Sequence, residues 1–367
     1  MLLKTYCSLI AFILIITSTT GTAEQLTQIT DGLITFVVEV KSTEILEDGF
    51  NPVGMAVSDD RVYISTRGSW RSGLILILDH DLNLVANISD FNGSSFRSVG
   101  LDFTNEKLFV GDRSGQRVMI FDRDGTFISE FGKFGTEEDE FNSLTDVVVN
   151  NEFVYVADNG NSVVKIFQLN GTYVGDTDVL IPDVKQLATD NDLFYTIGVD
   201  TNPISRFEKT GQFLGSWGVL ESGYASEIIT GNGEFNAGGP NGISAFDSHI
   251  FIGDWQTGRI QIFDQFGNFE GHYQSYQEDN FQFGFIADLD VTAKHIFVMD
   301  TGLRSIIKLE YNFNARIDSI SEDAVPDYVL YESQDDRVRW SILFLLCPII
   351  LIKLYKLKQK TIPFTEN

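Results

Sequence analysis

Apolar residues in this chain fall into short runs bounded by polar turns, and the runs come in sets of four. The first run of a set is seen in Pro52-Val53-Gly54-Met55-Ala56-Val57, Ser98-Val99-Gly100-Leu101-Asp102-Phe103 and Pro240-Asn241-Gly242-Ile243-Ser244-Ala245. The second is Leu108-Phe109-Val110-Gly111-Asp112 or His249-Ile250-Phe251-Ile252-Gly253-Asp254. A third follows, such as Arg117-Val118-Met119-Ile120-Phe121-Asp122, and then a turn carrying Asp124-Gly125. The fourth is Thr126-Phe127-Ile128-Ser129-Glu130-Phe131-Gly132. Leu74 to Leu78 and Phe153 to Val156 are apolar throughout instead of alternating, the pattern of a strand covered on both faces.

The set repeats about every 46 residues, with Gly54 recurring as Gly100, Asp146, Gln186, Gly242 and Asp288. Four strands per unit at that period predict an all-β, six-bladed β-propeller of four-stranded antiparallel blades. Each blade is covered by its two neighbours, and closing the ring protects the edges. Asp31-Gly32-Leu33-Ile34-Thr35-Phe36-Val37-Val38-Glu39 resembles a fourth run with no first three before it. It is predicted to pair with the last blade, whose own strands start near Ala287, Ile296 and Ser305. Asn314 to Ile320 is the other candidate for that outer position.

The two ends are of a different kind. Residues 1–23 read as a secretory signal: Lys4, an apolar stretch from Leu9 to Ile16, and the small residues Gly21-Thr22-Ala23. An uncleaved membrane anchor is the alternative, although the apolar stretch is short for a span. The propeller is expected over 24–320, and an acidic stalk over 321–339 with Glu322, Asp323, Asp327, Glu332, Asp335 and Asp336. Residues 340–357 are expected to form a transmembrane helix, with Lys353 and Lys356 snorkelling. A tail at 358–367 would lie inside, and the propeller outside the cytoplasm, because the lysines follow the apolar segment. A sorting signal that is later removed has the same shape, so retention of the tail stays open.

Composition narrows the chemistry. The whole chain has 26 basic and 52 acidic residues and a formal net charge of −26. Such a surface repels phosphate backbones, so nucleic-acid binding is disfavoured. Of the two cysteines, Cys7 lies in the signal and Cys347 in the apolar tail, so the exported part has no disulfide and no thiolate chemistry. Asn87-Ile88-Ser89, Asn92-Gly93-Ser94 and Asn170-Gly171-Thr172 fit the glycosylation acceptor pattern.

Tyr155-Val156-Ala157-Asp158-Asn159-Gly160-Asn161 followed by Val164-Lys165-Ile166-Phe167 resembles the NHL-repeat family of six-bladed propellers. So does Gly253-Asp254 followed by Arg259-Ile260-Gln261-Ile262-Phe263-Asp264. The likeness covers about 31–320 and implies the fold; that fold serves binding, scaffolding and catalysis alike. The acids Asp112, Asp158, Asp254 and Asp300 end second strands and are expected to accept backbone N–H groups in the following turn. Thr66 and Gly198 replace them in blades one and four. A branch resembling peptide-amidating lyases uses zinc and calcium with several histidines. His80, His249, His272 and His295 do not occupy equivalent blade positions, so convergence on zinc is not expected.

Two functional readings follow, and whether the chain is an enzyme stays open between them. In the first, the propeller is a binding module for a protein, peptide or glycan. Loops joining second to third strands, and each blade to the next, crowd one face. They carry Arg67, Trp70, Arg113, Asn159, Trp255 and Arg304, the first candidates for ligand contact. About ten extra residues within Val219 to Gly239 lengthen one of these loops. In the second reading the protein is a lyase or lactonase using calcium. The resemblance to lactonase-type propellers implies oxygen ligands at the channel, and Asp102, Asp146, Asp288 and Asp290 lie on the first strands nearest the axis. Satisfaction of these acids by backbone N–H groups or water is the competing expectation.

Overall fold

The computed structural model describes residues 34–46, 50–66, 73–89, 96–190, 192–198, 203–220, 234–235, 239–255, 257–273 and 283–311. The chain divides into two compact units, Met1–Ile317 and Asp318–Asn367, and all described residues belong to the first. The predicted signal (1–23), stalk (321–339), transmembrane segment (340–357) and tail lie outside the described residues. Among the described residues no helix is long and apolar enough to cross a membrane.

Six four-stranded antiparallel sheets are present, as the periodicity predicts. Blade 1 runs Pro52–Val57, Arg61–Thr66, Leu74–Asp79 and Leu84–Ile88. Blade 2 has its strands at Ser98–Thr104, Lys107–Asp112, Arg117–Asp122 and Phe127–Phe131. In blade 3 they are Leu144–Val149, Phe153–Asp158, Val163–Gln168 and Tyr173–Asp176. Blade 4 comprises Gln186–Asp190, Leu193–Ile197, Ile204–Glu208 and Phe213–Trp217, and blade 5 Pro240–Phe246, His249–Asp254, Arg259–Asp264 and Phe269–Tyr273. Blade 6 takes Ile286–Val291, His295–Asp300 and Ser305–Tyr311 from the end of the described chain. Its outer strand is Ile34–Lys41, paired antiparallel with Ser305–Tyr311 from Ile34↔Tyr311 to Lys41↔Ser305. The closing strand is therefore the one expected from the Asp31-Gly32 segment. A single helical turn, Ser42–Ile45, leads from it towards blade 1.

Six apolar clusters lie between neighbouring blades, one at each interface. Alternation along one strand feeds two of them. Leu108 and Val110 pack against blade 1, while Phe109 packs against blade 3. Both faces of a middle strand are thus buried, which is why its sequence is apolar without alternation. Each packed interface removes large aromatic and branched side chains from water, and this burial is the main term holding a ring that has no disulfide among its described residues.

The 3–4 turns show how polar residues fix the corners. In blade 2, Asp122 Oδ1 accepts the N–H groups of Asp124 and Thr126, and Gly125 turns the chain at φ +91. Gly171, Gly211 and Gly267 do the same in blades 3, 4 and 5. Blade 1 departs from the rule: Leu82 occupies the left-handed region at φ +64 and is buried.

Candidate functional site

First strands line the axis, and in five blades they begin with a β-bulge. The register shifts between Pro52/Gly54, Ser98/Leu101, Leu144/Asp146, Pro240/Ile243 and Ile286/Asp288. A bulge re-aims the side chain beside it. A cavity of about 200 Å³ follows, lined by Asp102, Asp146, Asp288, Asp290, Ser244 and Thr189 among apolar first-strand residues. The four acids singled out from sequence are brought together here.

Their oxygens are already engaged. Asp102 accepts N–H bonds from Phe103 (2.7 Å) and, on the next blade, Val149 (2.7 Å). Asp146 accepts from Val147 (2.8 Å) and, on blade 4, Leu187 (2.7 Å). Asp288 accepts from Leu289 and from Met55 on blade 1, both at 2.9 Å. Asp290 accepts from Val291 (2.8 Å), Ser244 Oγ (2.9 Å) and Val57 of blade 1 (2.8 Å). In blade 4, where the equivalent residue is Gln186, Oε1 accepts the N–H of Gly242 on blade 5 at 2.6 Å. One device thus recurs: an acceptor on one first strand takes a backbone N–H of the next. These N–H groups have no ladder partner at the axis, and the acceptor satisfies them. The glycines at the equivalent positions serve the same contact. A Cβ on Gly100 would run into Asp146, 2.8 Å from its Cα, and one on Gly242 would lie 2.8 Å from the Cα of Asp288.

Burial raises the pKa values of all four carboxyls. Burial, then the charge of Asp290, pushes Asp102 up to about 8. Burial raises Asp288 to about 7 despite the opposing bond from Met55, and Asp290 to about 6 despite the bonds from Ser244, Val291 and Val57. Asp146 is raised well above the usual carboxylate range by burial and by Asp288. Among the described residues no three His, Cys, Asp or Glu side chains gather closely enough to hold a metal ion. The geometry matches hydrogen-bonding acids better than calcium ligands, whose oxygens must converge on one point.

Of the expected loop-face residues, the four that are described, Arg113, Asn159, Trp255 and Arg304, do not line the cavity. Arg67 and Trp70 lie outside the described residues. Arg113 donates from Nη2 to Ser143 Oγ at 2.9 Å, and Asn159 from Nδ2 to the Val184 carbonyl at 3.2 Å, so both tie one blade to the segment entering the next. Arg304 is exposed with φ +56, and its carbonyl accepts the Ser42 N–H at 2.8 Å. Trp255 stacks on Phe285, ring centroids 4.9 Å apart at 29°. Phe285 was missed in the sequence; its signal is its place in the loop entering blade 6, beside Gly284. It is 44% exposed.

The second-strand acids behave as expected and reach further. Asp300 accepts N–H bonds from Leu303 in its own turn and from Gly284 and Phe285 in the loop before blade 6. Asp112 likewise accepts from Ser114 and Arg97, and Asp158 from Asn142. Arg117 and Arg259, which open third strands, pair with Asp112 (3.0 Å) and Asp254 (3.2 Å). The recurring Asp and Arg of the repeat are one structural unit that pins the loop face.

Comparison with known proteins places these features in context. A family model described as a 6-bladed beta-propeller matches residues 98–210, the stretch of blades 2 to 4. No curated protein matches the chain. Among solved structures, a protein of unknown function from Bacteroides thetaiotaomicron VPI-5482 is 13% identical, with a TM-score of 0.57 over 76% of each chain. A virginiamycin B lyase from Staphylococcus aureus, solved with quinupristin, is 12% identical, with a TM-score of 0.51 over 76% of this chain and 100% of that one. At such identity the likeness is one of fold. The family model and the six sheets agree that the chain is built as a six-bladed β-propeller.

Proposed function

We propose that this chain is an NHL-type propeller, held outside the cytoplasm by a C-terminal anchor, that binds a protein, peptide or glycan on its loop face. The observation that carries this reading is the Trp255–Phe285 pair. It offers a partly exposed aromatic surface on a backbone that Asp300 fixes with three N–H bonds. A rigid aromatic anchor loses little entropy on binding, the property of interface hot spots. Phe134 and Leu180, each 72% exposed, lie in other blade-to-blade connections of the same face. The leader and the apolar, lysine-flanked tail support the placement, and the net acidity speaks against nucleic acid as partner.

A calcium-dependent lyase or lactonase is the second reading. Four carboxyls around one cavity favour it, and the engagement of all four with backbone N–H groups favours the first.

Capture of binding partners by the full chain, identified by mass spectrometry, tests the first reading. Trp255→Ala with Phe285→Ala is expected to reduce capture at least about tenfold while leaving the melting temperature nearly unchanged. Undiminished capture by the double variant would remove the loop-face site. A calcium-dependent rise in melting temperature that Asp146→Asn with Asp288→Asn abolishes would favour the enzyme.

A further inference from the structure

The ring has one joint at which closure is non-covalent. Blade 6 contributes three strands from the end of the described chain, and they must dock on Ile34–Lys41 and on blade 1. At the outer end of this joint two imidazoles and an ammonium gather around Phe297. The His80 ring of blade 1 lies 5.1 Å from the Phe297 ring, and the His295 ring of blade 6 lies 6.0 Å from it. The two imidazoles are 6.2 Å apart. Lys308 Nζ sits 6.0 Å from the same ring and donates to the His80 carbonyl at 2.8 Å, across the joint. Lys308 is 8% exposed, and among the described residues no carboxylate lies within ion-pair distance of it.

His80 Nε2 lies 2.9 Å from the Ser58 carbonyl, so Nε2 carries the proton and donates. Beside it Leu82, the corner residue with φ +64, is buried in the cluster of the same joint. A left-handed leucine is strained, and the 3–4 corners of blades 2 to 5 avoid that with glycine. The joint thus holds a strained corner and a buried ammonium facing two imidazoles.

We propose that this joint is an acid-sensitive latch: protonation of His295 next to Lys308 and His80 loosens blade 6 from blade 1 and the closing strand, and spares the other interfaces. The groups facing His295 are Lys308 and Glu310 on the neighbouring strand, Lys294 in its turn, and His80 from blade 1. Glu310 favours its charge; Lys308, His80 and Lys294 oppose it. On the closing strand the residue opposite Lys308 is the uncharged Val38. Burial, then Lys308, holds the His295 pKa below the usual imidazole value. Stability from a neutral His295 is therefore present above the unfolded value near 6.5 and lost as pH falls through the folded one.

Hydrogen exchange of the full chain, read by mass spectrometry at about pH 7 and about pH 5, tests the latch. The channel carboxyls respond to acid in the opposite sense, so the comparison is with His295→Gln. Protection of Ser305–Tyr311 in the native chain, relative to the variant, is expected to fall severalfold on acidification, with Val163–Gln168 of blade 3 unchanged. Lys308→Met is expected to raise the folded His295 pKa towards the unfolded value, so that the loss is smaller and is complete at a higher pH. A protection ratio that does not move with pH, or an equal loss in blade 3, overturns the proposal. If His295→Gln fails to fold, His295→Asn gives the same comparison with the same two outcomes.

Discussion

Asp288 Oδ2 accepts the backbone N–H of Met55 at 2.9 Å, across 233 positions of sequence. Two positions further along both strands, Asp290 and Val57 repeat the bond at 2.8 Å. These contacts fasten the inner end of the joint that closes the ring. They also place charge-prone groups where charge is poorly tolerated.

Stability is therefore expected to fall as pH rises. Folded pKa values of about 8, 7 and 6 for Asp102, Asp288 and Asp290 lie above the unfolded carboxylate value. The folded state then holds protons that the unfolded chain has released, so stability declines from about pH 4 upwards and levels off past about pH 8. Asp102, Asp288 and Asp290 are only half-buried, and their partial exposure to solvent moderates the loss to about a few kcal/mol at most. Urea unfolding at about pH 5 and about pH 9 measures it, and Asp102→Asn is expected to flatten the difference.

Gly100→Ala is expected to destabilise the ring by about 1–3 kcal/mol or more, because the new methyl meets the backbone of Asp146 on the next blade. Gly175→Ala is the control. Nothing lies within 4 Å of its added Cβ, and its effect is expected to stay within about 0.5 kcal/mol. Equal effects at the two positions would show that the axis is looser than the contacts imply.

Ile34 opens the closing strand and is 3% exposed within the cluster between blades 5 and 6. Ile34→Ala is expected to cost about 2–5 kcal/mol in chemical unfolding. Its amide-exchange signature is expected in Ser305–Tyr311, the strand it covers.

Asp300→Ala leaves the N–H groups of Gly284, Phe285 and Leu303 without their acceptor. The expected cost is about 1–3 kcal/mol or more, together with weaker ligand capture, since Phe285 loses its fixed backbone. Thermal melting and capture should move together in this variant, whereas Trp255→Ala with Phe285→Ala should move capture with little change in melting.

The blades were legible in the chain because each strand pair and turn is made by residues close in sequence. The Asp at the end of the second strand and the Arg opening the third lie five positions apart in Arg117–Asp112 and Arg259–Asp254. Even the closing strand could be recognised, because Ile34–Lys41 carries the same local pattern as an outer strand. The aromatic partner Phe285 was not legible. It comes from the loop before blade 6, and only the fold lays it against Trp255.

The amino-acid order by itself determined the all-β class, the number of sheets, the apolar middle strands and the turn acids. Each depends on side-chain period and short-range hydrogen bonding. Only the tertiary structure decided what Asp102, Asp146, Asp288 and Asp290 do. Their acceptors meet N–H groups that are 41 to 233 positions away, on a neighbouring blade. That meeting depends on how closely six sheets approach one axis, where glycine in one blade makes room for a carboxyl from the next.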